Sequence, residues 1–278
     1  MEPDNPPLIS IVTTCKNRLS HLRVSLPAMM AQANSEVVVV DYGCEQGTAG
    51  WVRSHHSAAK VVEVTDDLSF CNSRARNLGA AEARGKLFLF CDADVVLDTS
   101  LGEWIAQHAD ERCFYMAAQS ADRNLLGTCI CPAAAFKTLG GYDEAFRGWG
   151  GEDRDLYERL IFAGVQRKDF PNGLAQSIDH ADDIRQFGPG SGGMDNKPQS
   201  IRVNDLYRAI KLDVARLGLG NLDLNARKAI MEEIRVKLIA FDGSGREQDG
   251  KIEIRLALDH DRNKRVRFER KLVYQLMR

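Results

Sequence analysis

The chain has 278 residues, 44% hydrophobic and 27% charged, so it carries enough apolar side chain for a sizeable core, and disorder and fibre are excluded as its main organisation. Its 37 Lys and Arg against 39 Asp and Glu leave a net charge of -2, which gives no global positive field for nucleic acid. No apolar run approaches the roughly 20 residues needed to cross a bilayer, residues 1–7 are unlike a signal peptide, and the seven scattered cysteines read as reduced, mostly buried thiols of a cytoplasmic protein.

The first half alternates strand-like and helix-like segments, the pattern of a mostly parallel α/β sheet flanked by helices. Residues 8–14 are β-branched and lead into the polar Lys16, Asn17 and Arg18, which predicts a strand ending in a polar loop. Residues 19–33 carry Leu22, Leu26 and Met29 or Met30 at helical spacing, with Pro27 as a kink or a boundary. The run 36–41 is almost wholly valine and ends in Asp41, the signature of a strand buried on both faces. A short helix over 51–57, a strand over 60–64 and a helix over 72–84, stopped by Gly85, follow. Another buried strand, 86–91, runs into Asp92-Ala93-Asp94. In open α/β sheets ligands sit beyond the carboxyl ends of the strands, so these strand-end residues are expected to converge there.

After Asp94 the alternation loosens. Strands are expected over 113–119, 128–131, 167–170 and 177–179, and helices over 101–109, 133–139 and 152–162. Residues 188–200 hold four glycines and two prolines and read as a mobile loop. Two helices then follow, marked by Leu206, Ile210, Val214 and Leu217 and by residues 227–239. Period-two alternation over 252–258 and a basic stretch over 262–271 complete the chain. The expected organisation is a main domain over 1–219, with halves at about 8–94 and 95–205, and a small helical and β appendage over 220–278.

Two clusters carry chemistry. Asp92 and Asp94, one residue apart at a strand end, suit a hard divalent cation such as Mn²⁺ or Mg²⁺, although taken alone they read equally as a solvated turn. Residues 146–156 supply the context: Gly148, Gly150 and Gly151 let the backbone pass close to a ligand, Trp149 offers a flat face for a sugar ring, and acids follow at a helix start. Helix capping alone needs neither the tryptophan nor the glycines, although it remains an equal reading for Asp155.

With residues 10–18, 37–41, 73–79, 92–94, 148–156 and His180 in this order, the sequence resembles the GT-A glycosyltransferases of the family 2 type, and in its second half the β-1,4-galactosyltransferase and chondroitin-polymerase-like branch. The resemblance implies a Rossmann-like GT-A fold and a metal-dependent, inverting transfer from a UDP-sugar to a saccharide or glycolipid acceptor, as in surface polysaccharide synthesis. It implies that Thr13, Cys15, Asn17 and Arg18 line the uridine pocket, that Asp41 meets the uracil edge and that Arg76 lies near the phosphates. Asp92 would sit near ribose and metal, with Asp94 and His180 as metal ligands. Trp149, Gly150 and Gly151 would meet the sugar and acceptor, Glu152 would bind their hydroxyls, and Asp153 would be the general base. The loop after His180 would close as a lid.

Two departures stand out: Tyr42 replaces a second acid after Asp41, and Arg154 a third acid after Asp153. The galactosyltransferase-like half tilts the donor toward galactose or N-acetylgalactosamine, with glucose, N-acetylglucosamine and glucuronate left open. A solvated face is the first reading of the basic tail, and peripheral contact with the inner membrane the second. Two other classes compete. A nucleotidyltransferase should carry a glycine-rich triphosphate loop, and residues 13–19 contain no glycine; an idle scaffold subunit should have lost Asp94, Asp153 or His180, and all three are present.

Overall fold

The computed structural model describes residues 6–67, 69–118, 122–178, 197–218, 222–243, 250–258 and 268–276. The chain divides into two compact units, one of residues 1–143 with 153–190, the other of residues 144–152 with 191–278.

The first unit is built on a sheet whose strands are β1 (Ile9–Cys15), β2 (Ser35–Asp41), β3 (Lys60–Glu63), β4 (Leu87–Asp92), β6 (Cys113–Ala117), β7 (Cys129–Pro132) and β8 (Gln166–Phe170). These seven strands lie in the order β3-β2-β1-β4-β7-β6-β8. β1, β2, β3 and β4 are parallel, β7 runs antiparallel to both β4 and β6, and β8 returns parallel to β6. The Val37–Val40 run of β2 is buried, as its unbroken β-branched pattern requires of a strand covered on both faces.

Alternation along β1 sends its side chains into two cores. Ile9, Ile11 and Cys15 pack with Leu22, Leu26 and Met29 of α1 (Leu19–Met30), whereas Val12 joins Phe88 and Phe90 of β4, Phe136 of α5 (Ala133–Thr138) and Leu156 and Leu160 of α6 (Glu152–Phe162). Pro27 lies within α1, whose end at Met30 comes three residues before the sequence pattern fades. Helix α3 (Asn72–Glu82) approaches β1 and β2 so closely at Gly79 that a Cβ there would stand 2.4 Å from Val12 Cγ1 and 2.9 Å from Val40 Cγ2.

The register fixes where the strands end. Cys15 lies level with Asp41, and Thr14 level with Asp92, so the carboxyl ends of β1, β2 and β4 form one continuous edge, as expected. Beyond it, β5 (Val95–Leu97), which the short run after Asp94 did not announce, pairs antiparallel with β9 (Ala175–Ser177). Helix α2 (Thr48–His55) begins three residues before the expected start, because Gly47 turns the chain at φ +71°. Helix α4 spans Leu101–His108.

The second unit contains α7 (Lys197–Arg216), α8 (Leu224–Gly243) and the antiparallel hairpin β10 (Gly250–Leu258) with β11 (Phe268–Leu276). Val203, Tyr207, Ile210 and Val214 of α7 share a core with Ile230, Ile234 and Leu238 of α8 and Ile252 and Ile254 of β10. The sequence places a boundary at 219/220; here α7 goes with α8, because its apolar stripe is buried there. Residues 197–200, expected to be loop, open α7 with Pro198 in its first turn, where a missing N–H costs no helical bond. His180 and residues 188–196 of the expected lid lie outside the described residues. No helix among the described residues is long and apolar enough to cross a membrane.

Candidate active site

The first unit assembles a charged network around a buried arginine at the end of β4. Arg76, on α3, is 1% exposed, and its guanidinium bridges two carboxylates: Nη2 donates to Asp92 Oδ1 at 2.9 Å and Nη1 to Asp153 Oδ1. Nη1 also donates to the Tyr142 hydroxyl at 3.2 Å, and the guanidinium carbon lies 5.1 Å from the centre of the Tyr142 ring. The Gly127 carbonyl accepts from Nη2 at 3.4 Å, and a Cβ on that glycine would meet Arg76, Asp153 and Asp92 all within 3.5 Å. Three charged groups from α3, β4 and α6 therefore converge on one point of backbone.

Burial pushes the carboxyl of Asp153 above the ordinary aspartate range; Arg76 pulls it back, and the Asp92 charge adds to the rise. A carboxylate of raised basicity in a low-dielectric site is suited to accept a proton. Tyr142 is itself held on two sides. Its N–H donates to Asn77 Oδ1 at 2.8 Å and its carbonyl accepts from Asn77 Nδ2 at 2.9 Å, while Arg159 donates to the carbonyls of Leu139 and Gly141 at 3.1 and 2.8 Å. Arg159 is oriented by Asp155 at 2.8 Å, so Asp155 serves the turn that carries Tyr142. Neither Tyr142 nor this role of Asp155 was singled out in the sequence; the Gly140-Gly141 pair, at φ +73° in both, was the available signal of a constrained turn.

Asp94, 7% exposed, accepts Arg18 Nη1 at 2.8 Å, so the strand-end acids Asp92 and Asp94 each pair with an arginine. Asn17 stands at φ +54°, its N–H on Cys44 Sγ at 3.3 Å and its Oδ1 accepting the Glu45 N–H at 3.0 Å. Thr13 and Cys15 require correction as pocket-lining side chains. Both are fully buried, since alternate residues of β1 face the α1 side of the sheet; the Thr13 hydroxyl has no partner among the described residues, and burial pushes the Cys15 thiol up to about 11. Asp41 is likewise turned inward: Oδ1 accepts the Cys44 N–H at 2.8 Å and Oδ2 the Ala49 N–H at 2.9 Å. Tyr42 is buried, and its hydroxyl donates to Asp67 at 2.7 Å.

A divalent cation fits the donor chemistry in part. Asp92 and Asp94 supply hard carboxylate oxygens, and the chain leading to His180 is tied to them by the Ile178 N–H, which donates to the Asp94 carbonyl at 2.7 Å. Among the described residues no cluster of three or more His, Cys, Asp and Glu is assembled.

In the second unit the glycine-rich segment is fixed from α7. Asn204 Nδ2 donates to the carbonyls of Arg147, Trp149 and Gly150 at 2.9, 3.1 and 2.7 Å, and Ser200 Oγ accepts the Trp149 N–H at 2.6 Å. Gly148, Gly150 and Gly151 all have positive φ, from 69° to 96°, which explains the glycines around Trp149. Lys197 Nζ lies 4.5 Å from the Trp149 ring centre, and Glu152 is half-buried at the start of α6.

Comparison with known proteins agrees with this arrangement. The glycosyl transferase family 2 model matches residues 10–128, and the model for the N-terminal domain of galactosyltransferase matches residues 118–182. Over these residues the chain is similar to the family 2 glycosyltransferases and, in its second half, to the galactosyltransferases. Validoxylamine A glucosyltransferase from Streptomyces hygroscopicus subsp. jinggangensis is 28% identical over 57% of this chain and 52% of its own length. Beta-1,4-galactosyltransferase 5 from Danio rerio is 30% identical over 43% of this chain and 34% of its own. The chain thus spans about half or less of the length of these curated relatives. S. aureus TarS 1–349 in complex with UDP-GlcNAc aligns with a TM-score of 0.57 at 15% identity, covering 85% of this chain and 73% of that one. A mannosyltransferase from Pyrobaculum calidifontis in complex with GDP-Man and Mn²⁺ aligns with a TM-score of 0.54 at 15% identity, covering 88% and 78%. These structures share the fold of this chain.

Proposed function

We propose that the chain is a metal-dependent, inverting glycosyltransferase that takes a sugar, galactose or N-acetylgalactosamine favoured, from a UDP-sugar and passes it to a saccharide or glycolipid acceptor. The observation that carries this reading is the half-buried Asp153 beside Asp92 at the carboxyl end of β4, held by the buried Arg76. Asp153 takes the proton of an acceptor hydroxyl as its oxygen attacks the anomeric carbon opposite the diphosphate, and the C–O bond to UDP breaks with inversion. Asp92, Asp94 and His180 would hold Mn²⁺ or Mg²⁺, which supplies charge stabilisation to the departing diphosphate. Asn17 and Arg18 serve the nucleotide, while Trp149, Gly150, Gly151 and Glu152 keep the sugar and acceptor roles that the resemblance implies.

The TarS complex with UDP-GlcNAc supports a uridine nucleotide, the galactosyltransferase match over residues 118–182 supports the choice of sugar, and the Mn²⁺ of the mannosyltransferase supports the metal. Seven free thiols fit a reducing, cytoplasmic setting. Exposed Lys251, Arg255 and Lys271 on the hairpin support peripheral contact with an anionic membrane surface.

Titration calorimetry with UDP, with and without Mn²⁺, followed by a panel of UDP-sugars scored for UDP release, tests the reading. Metal-dependent UDP binding and turnover of one sugar nucleotide are expected. Asp153→Asn should retain UDP binding and lose about 10²- to 10⁴-fold in turnover. No UDP binding under any metal condition, or near-wild-type turnover by Asp153→Asn, would overturn it.

A further inference from the structure

We propose that Tyr142 is a positioning residue for Asp153, its hydroxyl holding the arginine that pairs with the base. The inference rests on the transferase reading above. The hydroxyl accepts from Arg76 Nη1 at 3.2 Å, and the same nitrogen donates to Asp153 Oδ1, so the tyrosine and the base share one nitrogen of the guanidinium. By holding that nitrogen in place, the hydroxyl restricts where the paired Asp153 carboxylate sits.

The surroundings make this restriction rigid. Tyr142 is 2% exposed, and its ring packs edge-on against Phe90 at 5.2 Å and against Phe136 at 5.8 Å. Its backbone is clamped by both hydrogen bonds of the Asn77 amide, and Asn77 directly follows Arg76 on α3. One turn of helix thus fixes both the guanidinium that pairs with Asp153 and the tyrosine that holds that guanidinium. A Cβ at Gly141 would come within 2.5 Å of Asn77 Oδ1, so the clamp is built around that glycine. A merely structural aromatic at this place would need only the ring; the hydroxyl has no packing function that phenylalanine could not supply.

Catalysis depends on a base held within a fraction of an ångström of its working position. Loss of the hydroxyl is therefore expected to lower kcat and to leave donor binding alone. The test is Tyr142→Phe in the full chain, assayed by UDP release from the UDP-sugar that the wild-type protein turns over. The expected result is a roughly 10-fold fall in kcat, with KM for the donor and the affinity for UDP within about twofold of wild type. In an Asp153→Asn background the same change should have no further effect. Asn77→Ala, which keeps the hydroxyl and loosens its backbone, should lower kcat in the same direction, and keeps the test open if the Phe variant does not fold.

Unchanged kcat in Tyr142→Phe, or a kcat loss matched by an equal loss of UDP affinity, would overturn the inference and leave the transferase reading standing. So would a further loss in the Asp153→Asn background. No UDP release by wild-type protein from any UDP-sugar would overturn both.

Discussion

Asp41 and Asp92 close the two strands that flank β1 with the same sequence pattern, a buried apolar run ending in an acid, yet the fold uses them differently. Each oxygen of Asp41 accepts a backbone N–H, from Cys44 and Ala49, so the carboxylate fastens the loop between β2 and α2. Asp92, with Asp94 two residues on, pairs with the guanidinium groups of Arg76 and Arg18. Backbone donors are fixed by the chain, whereas side-chain donors can change partner at the cost of a rotamer. An acid tied to backbone is therefore a structural part, and an acid tied to arginine can exchange its partner for a bound cation or ligand. The difference lies in the partners, which the strand itself does not reveal.

The largest effect expected from this contrast is at Asp94. Asp94→Asn should cost at least about 100-fold in metal-dependent turnover, with the thermal midpoint nearly unchanged, because the neutral amide still accepts from Arg18. Turnover that kept its Mn²⁺ response would remove Asp94 from the metal site. Asp41→Asn should show the reverse balance: an amide cannot accept on both ends, one backbone N–H loses its partner, and stability should fall by about 1–3 kcal/mol in a denaturant titration. An unaltered midpoint there would erase the distinction between the two acids.

How much of this was legible in sequence follows the same line. The parallel strands, the burial of Val37–Val40 and the shared edge of Cys15, Asp41 and Asp92 follow from local pattern and strand register. Asp153 and Arg76 could be nominated from motifs, but their pairing spans 77 positions and depends on how α3 and α6 pack, which no local period encodes. The same holds for Tyr142, reached by Asn77 across 65 positions. Thr13 and Cys15 show the opposite failure: they sit in the right motif, and the period of two turns their side chains into the core. Where a residue lies was readable; which way it faces required the partner element.

A fourth carboxylate falls between the two cases and gives the smallest, most diagnostic effect. Glu36, at the other end of β2, accepts from the Ser10 hydroxyl and the Arg84 N–H at 2.7 and 2.6 Å, and Lys60 approaches at 3.1 Å. Burial pushes its carboxyl up, but the hydroxyl, the backbone donor and the lysine together hold it below its ordinary 4.5. A carboxyl lowered by folding binds its proton less tightly in the native chain, so the ionised form contributes stability above the unfolded value, and that contribution is lost as pH falls through the lower, folded one. Glu36→Gln should therefore be less stable than wild type at pH 7, by under about 1 kcal/mol since the lysine end is partly solvated, and the gap should close in acid. A gap that stays constant from pH 7 down through the glutamate range would mean that the hydroxyl and backbone bonds act without the charge, which would place Glu36 with Asp41 as a purely structural acceptor. A gap that closes places it with Asp92 and Asp94, among the acids whose worth depends on a movable cation.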